Sequence, residues 1–206
     1  KYIKNALIQN IRIHNNSIDN NTRGALSFFN NSNFSTGISE FKMLGGVIEK
    51  NESIAINIVG MSTYINGISF EKNGIGDFDS DIANSIQVIG GQNDVVKIEN
   101  SNFSQNNNFR ITLVNGQGSI SESNFVKNRS DQGVLQLYGI EHKVYNSKFE
   151  RNELGSVGLI FAHSDVTLTD SYVVHQYFNF ERVETGIPYY SFAIYGEALR
   201  VPTFEE

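Results

Sequence analysis

The feature that most constrains the fold is a seven-residue stretch that recurs along the chain. Its clearest copies are Asn100–Asn106, Glu122–Asn128 and Asn146–Asn152, and each carries Ser second, Phe fourth and Asn seventh. We take the Phe, or the apolar residue that replaces it, as the anchor of a repeat. The anchors are Ile13, Ile48, Phe70, Phe103, Phe125, Phe149 and Val173, and the amide residues three positions later are Asn16, Asn51, Asn73, Asn106, Asn128, Asn152 and Gln176.

The spacing of the anchors gives the length of the repeat. The differences between successive anchor positions are 35, 22, 33, 22, 24 and 24. The short values define a repeat of about 22–24 residues, and the two long ones predict insertions at 30–40 and 74–84. A third, aromatic-rich insertion is predicted at 177–189. An eighth repeat then begins, because Phe192–Gly196 aligns with Leu135–Gly139 and Arg200–Val201 aligns with Lys143–Val144.

Positions that were not used to find the repeat predict β-strands. Five residues before each anchor stands an apolar residue, and the position before that is mostly polar. The apolar set is Ile8, Met43, Ile65, Ile98, Ile120, Val144 and Leu168. Ten residues after four of the anchors, Ile58, Leu113, Leu135 and Leu159 indicate a second strand. This alternation is typical of strands with one face buried, and it argues against helical repeats.

A repeat of this length, with short strands and polar turns, predicts an all-β fold. Each unit cannot bury its apolar face alone, so neighbouring units must stack. We predict a right-handed parallel β-helix of about seven to eight coils, forming a single domain over residues 1–206. Phe should lie on Phe inside, Asn should lie on Asn at a turn, and Ser147 should cap the bend. The segment is expected to belong to a longer chain.

The charge pattern bears on partners and compartment. The net charge is −6, the pI is about 5.2, and no Lys/Arg cluster occurs within the sequence, so nucleic-acid binding is not expected. No apolar run is long enough to span a membrane as a helix. Cysteine is absent, which excludes disulfides and thiolate metal ligands.

The Phe-x-x-Asn tetrads resemble those of the polymorphic outer membrane proteins. They stand at Phe70–Asn73, Phe103–Asn106, Phe125–Asn128 and Phe149–Asn152. The Gly-Gly-Ala-[Ile/Leu/Val] element of those proteins is matched only in part, at Gly45–Ile48. More broadly, the repeats are similar to the parallel β-helix class that includes pectin lyase-like enzymes. The first resemblance implies surface display and adhesion, and the second implies polysaccharide cleavage where the catalytic carboxylates are present.

No catalytic constellation accompanies the repeat. The sequence has no Asp-Asp pair, no Asn-Thr-Asp and no Gly-His-Gly, and the four histidines show no metal-binding spacing. Asp77, Asp79 and Asp81 alternate as in an EF-hand, but Ile82 and Val88 stand where that loop needs Gly and Glu. Calcium bound by a looser oxygen set is one interpretation of this segment, and a solvated acidic loop is the preferred one. No other cofactor is expected.

Two further groups of residues are candidate sites. Asn-x-Ser/Thr sequons include Asn15, Asn20 and Asn30, and Asn30 is expected to be the most accessible of them if the chain is glycosylated. Exposed aromatics of the third insertion could contact a protein or a glycan; they include Tyr177, Phe178, Tyr189 and Tyr190. The alternative is that this segment covers or caps the repeat.

The sequence therefore predicts a non-enzymatic structural or adhesive module, outside the cell or at its surface. Binding surface is expected on the loops that interrupt the repeat. Lateral or end-to-end assembly with similar modules is a second kind of partnership that the sequence allows. A polysaccharide lyase or glycoside hydrolase of the pectin lyase-like class is the alternative function.

Overall fold

The structure, a computed structural model, describes residues 5–16, 26–30, 39–74, 84–114, 116–155, 158–178, 194–196 and 203–205. Within these residues the regular structure consists of twenty β-strands, β1 to β20. Seventeen of them form one large sheet and the other three form a small one. All recorded pairings are parallel, so the predicted all-β fold and its parallel strand pairing are confirmed.

The strands that carry the anchors make up the anchor column of the large sheet. In the first three repeats it is a single strand: β1 (Asn5–His14), β3 (Glu40–Glu49) and β5 (Ser62–Glu71). In later repeats a bend divides it. The divided strands are β7 (Val95–Glu99) with β8 (Asn102–Ser104), β10 (Gln117–Ser121) with β11 (Asn124–Val126), the end of β13 (Leu135–Tyr145) with β14 (Lys148–Glu150), and the end of β16 (Ile160–Thr169) with β17 (Tyr172–Val174). β20 (Thr203–Glu205) follows.

A second column of strands completes the large sheet. Its members are β2 (Leu26–Phe29), β4 (Ala55–Val59), β6 (Asn84–Ile89), β9 (Phe109–Val114), the first halves of β13 and β16, and β19 (Ile194–Gly196). The small sheet, here called the turn column, contains β12 (Arg129–Ser130), β15 (Glu153–Leu154) and β18 (Tyr177–Phe178). In the described part of the chain, no helix is long and apolar enough to cross a membrane.

The register of the anchor column matches the predicted repeat. Ile13 pairs with Ile48, Ile48 with Phe70, and Phe70 with Phe103. The series continues through Phe125 and Phe149 to Val173. Residues one repeat apart therefore lie side by side whether or not an insertion separates them in the chain, and the two long spacings are repeats with insertions.

The register predicted for the second column is wrong in its later part, by two residues at Leu135 and by three at Leu159. Leu113 pairs with Leu137, not with Leu135, and Leu137 pairs with Ala162. The cause is the turn after the amide, which is two residues longer in the repeat that begins at Phe125. A shift of two keeps the same face inward, so Leu135 is still buried.

The predicted alignment of the last repeat is also corrected. Ile194 pairs with Ile160, which itself pairs with Leu135, so Ile194 is equivalent to Leu135 instead of Leu137. Phe204 pairs with Leu168 and takes the place that was predicted for Val201. The third insertion begins later than predicted, because Tyr177 and Phe178 pair with Glu153 and Leu154 in the turn column.

The core lies on the inward face of both columns. It consists of stacked Ile, Val, Leu, Met and Phe side chains, most of them fully buried. The Phe125 ring lies 4.9 Å from that of Phe103 and 4.7 Å from that of Phe149, with interplanar angles of 15° and 6°. Phe109 of the second column packs against Phe70 and Phe103. The column of rings thus joins neighbouring repeats through contacts that no single repeat could make.

Two positions of the repeat, one on each side of the anchor, adopt the left-handed conformation. Three residues before the anchor, φ is between 47° and 50° at Asn10, Asn100, Glu122, Asn146 and Asp170, and Gly45 and Gly67 hold the same place at 66° and 70°. The second set stands two residues after the anchor: Asn15, Lys50, Lys72, Gln105, Lys127, Arg151 and His175. These conformations place the bends on either side of the anchor. Asn and Gly suit them, whereas Glu, Lys and Arg adopt them at a cost.

Replacing Glu122 with Asn is therefore expected to stabilise the fold. Asn already stands at the equivalent places in the adjoining repeats, and relief of the left-handed strain should contribute roughly 0.5–1 kcal/mol. The midpoint of urea unfolding measures the gain. Gln117→Asn, in the extended strand β10, is the control and should be neutral or destabilising. Equal stabilisation by both substitutions would contradict the assignment of strain to Glu122.

Candidate functional site

The recurring Asn residues form a continuous hydrogen-bonded ladder at the turn after the anchor. The side-chain amide of Asn106 donates to Oδ1 of Asn128 at 2.9 Å, and the backbone N–H of Asn106 donates to the same oxygen at 3.2 Å. The Asn106 amide also donates to the carbonyl of Phe70, one repeat back, at 2.8 Å. The same pattern runs from Asn16 to Gln176. Each amide thus ties its own turn to both neighbours.

A shorter ladder of serines lies at the bend before the anchor. The hydroxyl of Ser123 donates to the carbonyl of Ser121 and accepts the backbone N–H of Ser101. Ser147 repeats the arrangement with Tyr145 and Ser123, as predicted. The Phe, Asn and Ser of the recurring stretch are therefore buried scaffold, and the sites available to a partner are formed by the residues between them.

The sequence-predicted glycosylation candidates lie in different surroundings. Asn30 is only 8% exposed, and its amide donates to Ser39 Oγ at 2.8 Å and to the carbonyl of Gly60 at 3.1 Å. The accessibility expected for Asn30 is therefore wrong, because its amide is bonded both to the other end of the insertion and to the adjoining repeat. Asn15 is exposed at its turn, beside His14. Asn20 lies outside the described residues.

The other predicted site residues are placed only in part. Tyr177 is 56% exposed on the turn column, and Phe178 is described through its backbone pairing alone. Tyr189 and Tyr190 lie outside the described residues, as do Asp77, Asp79 and Asp81. Among the residues that are described, no group of three or more His, Asp or Glu side chains could hold a metal ion.

His142 is a polar residue in the core that sequence reasoning missed. It is 1% exposed and stands on the inward face between Gly118 and Val166 of the adjoining repeats. A Cβ on Gly118 would lie 2.4 Å from Nδ1 of His142, so the imidazole occupies space that only glycine leaves. Its Nε2 lies 3.4 Å from the carbonyl of Tyr138, and its buried Nδ1 has no hydrogen-bond partner.

His142 should make the stability of the fold dependent on pH. Burial lowers the pKa of His142 below its usual 6.5. Below pH 6.5 the imidazole of His142 binds a proton more readily in the unfolded chain than in the folded one. The stability that the neutral imidazole contributes is therefore fully present above that pH and is lost as the pH falls. The loss is at most about 1.4 kcal/mol per pH unit. His142→Val introduces the residue that stands at the equivalent positions Val96 and Val166. This variant should show a smaller change in the urea midpoint between pH 7.5 and 5 than the unmodified chain. His14→Val, at an exposed site, should not reduce that change. An unchanged slope in His142→Val would contradict this origin.

The fold gathers cations that are dispersed in the sequence. Lys50, Lys72, Lys127 and Arg151 all stand two residues after an anchor, are exposed, and share the left-handed turn. We call this set the cationic row; Asn15, Gln105 and His175 occupy the same place in the remaining described repeats. Equivalent residues of paired strands are about 4.8 Å apart. The sequence showed no Lys/Arg cluster because these positions stand one or more repeats apart in the chain.

A groove of about 490 Å³ lies at one end of the cationic row. Its charged lining residues are Lys127, Arg129, Arg151 and Glu153, and Tyr177, Asn107 and Asn128 complete it. Arg129, Glu153 and Tyr177 are direct neighbours across the turn column. Arg129 Nε lies 3.5 Å from Glu153 Oε1, and its side chain is 23% exposed. Three cations against one carboxylate give this groove a positive balance in an acidic protein.

Several surface carboxylates are engaged in ion pairs. Glu150 contacts Lys148 and Arg151, and the Lys148 hydrogen bond is the main cause of the lowered pKa of Glu150. Glu49 pairs with Arg12, which likewise lowers the pKa of Glu49. Such exposed pairs contribute little to stability. Their chemistry is that of a solvated surface, because a general acid needs a raised pKa.

A cluster of rings lies on the outward face of the second column. Tyr138 stacks on His163 with centroids 5.1 Å apart, and Phe161 meets the same imidazole edge-on at 4.6 Å. Burial raises the pKa of Tyr138 and lowers that of nearby Arg110, whose guanidinium donates to Gln132. This second surface combines rings and amides but lacks a described groove.

Comparisons with known proteins give no relative from which a function could be transferred. No protein-family model, curated protein or solved structure matches the chain.

Proposed function

We propose that the chain is a stretch of right-handed parallel β-helix that works as a non-enzymatic structural rod, displayed outside the cell or at its surface, and binds partners through its turns and inserted loops. The observation that carries this proposal is the register, in which positions one repeat apart pair across at least six successive repeats. A single direction of stacking produces an elongated scaffold with repeated outer surfaces.

The backbone connections support the helical arrangement. The chain passes from the anchor column to the second column and back within each repeat, and both columns pair in parallel with the next repeat. Connections between parallel strands of one sheet are nearly always right-handed. Successive repeats of one hand would then coil around the shared core.

The surface chemistry supports binding over turnover. The rival enzyme requires three or more carboxylates from adjacent repeats in one cleft, with a defined separation across the substrate. In the two described grooves, Glu153 is the sole carboxylate of one, and the other is lined by Glu40 and Glu99 together with Lys42 and Lys97. These arrangements fit recognition of a polar partner.

Two assays on the same purified chain test the proposal. The chain should be captured on an array of glycans and matrix proteins. It should not cleave any of a panel of uronic-acid polymers, so the number of chain ends in each polymer should stay constant. Deleting 31–38, 75–83 and 179–189 should lower capture without changing the β-sheet circular dichroism. Asn30, Gly74 and Asn84 keep their hydrogen bonds at the ends of the first two loops, and the third deletion begins after strand β18. Turnover of any polymer, or full capture after all three deletions, would contradict the proposal.

A further inference from the structure

The cationic row and its groove form a surface whose charge differs in sign from that of the whole protein. The chain carries a net charge of −6, yet the groove places Lys127, Arg129 and Arg151 around a single carboxylate. The residues come from two adjacent repeats and from two elements, the left-handed turn and the turn column. A concave site lined mainly by one sign of charge concentrates ligands of the opposite sign.

The side chains of the groove combine three kinds of contact. The guanidinium groups of Arg129 and Arg151 offer planar donor forks, and Lys127 adds an ammonium group. Tyr177 is 56% exposed beside them and offers a ring face. Glu153 offers an acceptor for hydroxyl donors. A sugar ring that carries an anionic substituent presents the complement of all three.

We propose that this groove binds a sulfated oligosaccharide, with sulfate between Lys127 and Arg151 and a sugar ring on Tyr177. The proposal rests on the proposed function and names the ligand class for one surface of the rod. A sulfate has three acceptor oxygens, so it can bridge cations of neighbouring repeats about 4.8 Å apart. Further sulfates continue along the cationic row towards Lys72 and Lys50.

The carboxylates around the groove favour a glycan over a nucleic acid. Glu153 lies in the groove, and Glu150 stands beside Arg151. A DNA phosphodiester backbone offers oxygens to the cations but has no hydroxyl that could donate to these carboxylates. Sugar hydroxyls can donate to Glu153 while the sulfates contact the cations. Binding should weaken with salt, since it includes charge contacts at an exposed site.

The test is binding of a heparin octasaccharide to the full chain, measured by titration calorimetry at two salt concentrations. The double variant Lys127→Asn/Arg151→Asn should raise the dissociation constant about tenfold or more, because the loss of one charged hydrogen bond is enough for a tenfold change. Asn suits the left-handed turn, so this variant keeps the fold. Tyr177→Ala should weaken binding without changing its salt dependence.

Arg12→Gln/Lys143→Gln is the matched control, because it removes the same charge from exposed positions of the anchor column that line neither groove. This variant should bind like the unmodified chain. Desulfated heparin, which keeps its carboxylates, should lose binding. Equal weakening by the two double variants, equal binding of the desulfated probe, or tighter binding of single-stranded DNA would overturn the proposal. If the chain is captured through its loops but does not bind heparin, this inference alone is overturned and the proposed function as a structural rod still stands.

Discussion

Asn128→Ala should destabilise the protein by about 3–5 kcal/mol, since it leaves several buried polar groups without partners. Oδ1 of Asn128 accepts both the backbone and side-chain N–H groups of Asn106, and its amide donates to the Phe103 carbonyl and to Asn152. Asn128 itself is 1% exposed. Alanine removes these bonds, and water cannot replace them at full strength.

Hydrogen exchange and urea unfolding measure this loss together. Because stacked repeats unfold in parts, protection should fall most in the turns at Asn106, Asn128 and Asn152. Asn124→Ala is the matched control, since Asn124 lies in the same repeat with an exposed side chain, and it should change stability by less than about 0.5 kcal/mol. Similar losses in the two variants would show that the ladder has no special role.

Phe125→Ala is the second substitution with a large expected effect. The ring is fully buried and lies between Phe103 and Phe149, so alanine leaves a cavity between three repeats. Core Phe-to-Ala changes cost about 3–5 kcal/mol. Phe125→Leu should cost less, about 1–2 kcal/mol, because it fills most of the volume.

Calorimetric or urea unfolding of these variants, with Tyr172→Ala as control, tests the stacked core. Tyr172 is an aromatic residue of the same anchor column, but it is 60% exposed. Its truncation should cost less than about 1 kcal/mol. A cost for Phe125→Ala as small as that for Tyr172→Ala would contradict the placement of the ring in a packed interior.

The parts of the fold that the sequence predicts are those repeated at a fixed distance from the anchor. Phe125 and Asn128 recur because each must meet its equivalent in the next repeat. The second column is predicted less well because turn lengths vary between the amide and the following strand. The two-residue shift at Leu137 follows from that variation, and periodicity within one strand cannot reveal it.

Features that depend on pairs of different residues are missed for another reason. His142 is buried because Gly118 leaves room in the repeat before it, and neither residue alone marks the site. The cationic row is invisible in the chain because its members lie in different repeats. Asn30 looked like a loop residue, yet Ser39 at the other end of the insertion and Gly60 in the next repeat supply its hydrogen-bond partners. Aligning every position of the repeat, including the polar ones, reveals the cationic row in the sequence.

The most direct test of the account is disulfide cross-linking between repeats. The natural chain has no cysteine, so introduced pairs report without interference. Asn124 and Lys148 are direct partners in adjacent strands, and Arg129 and Glu153 are partners in the turn column. Cysteines at either pair should form a disulfide under mild oxidation, because neighbouring strands bring Cα atoms within bridging range. Asn124 with Glu150 is two residues out of register, about 8 Å apart, and should not cross-link. Peptide mass spectrometry under non-reducing conditions reads the outcome. In-register stacking predicts bonds at 124–148 and 129–153 but not at 124–150. Bonding at 124–150 in preference to 124–148, or at neither in-register pair, would contradict it.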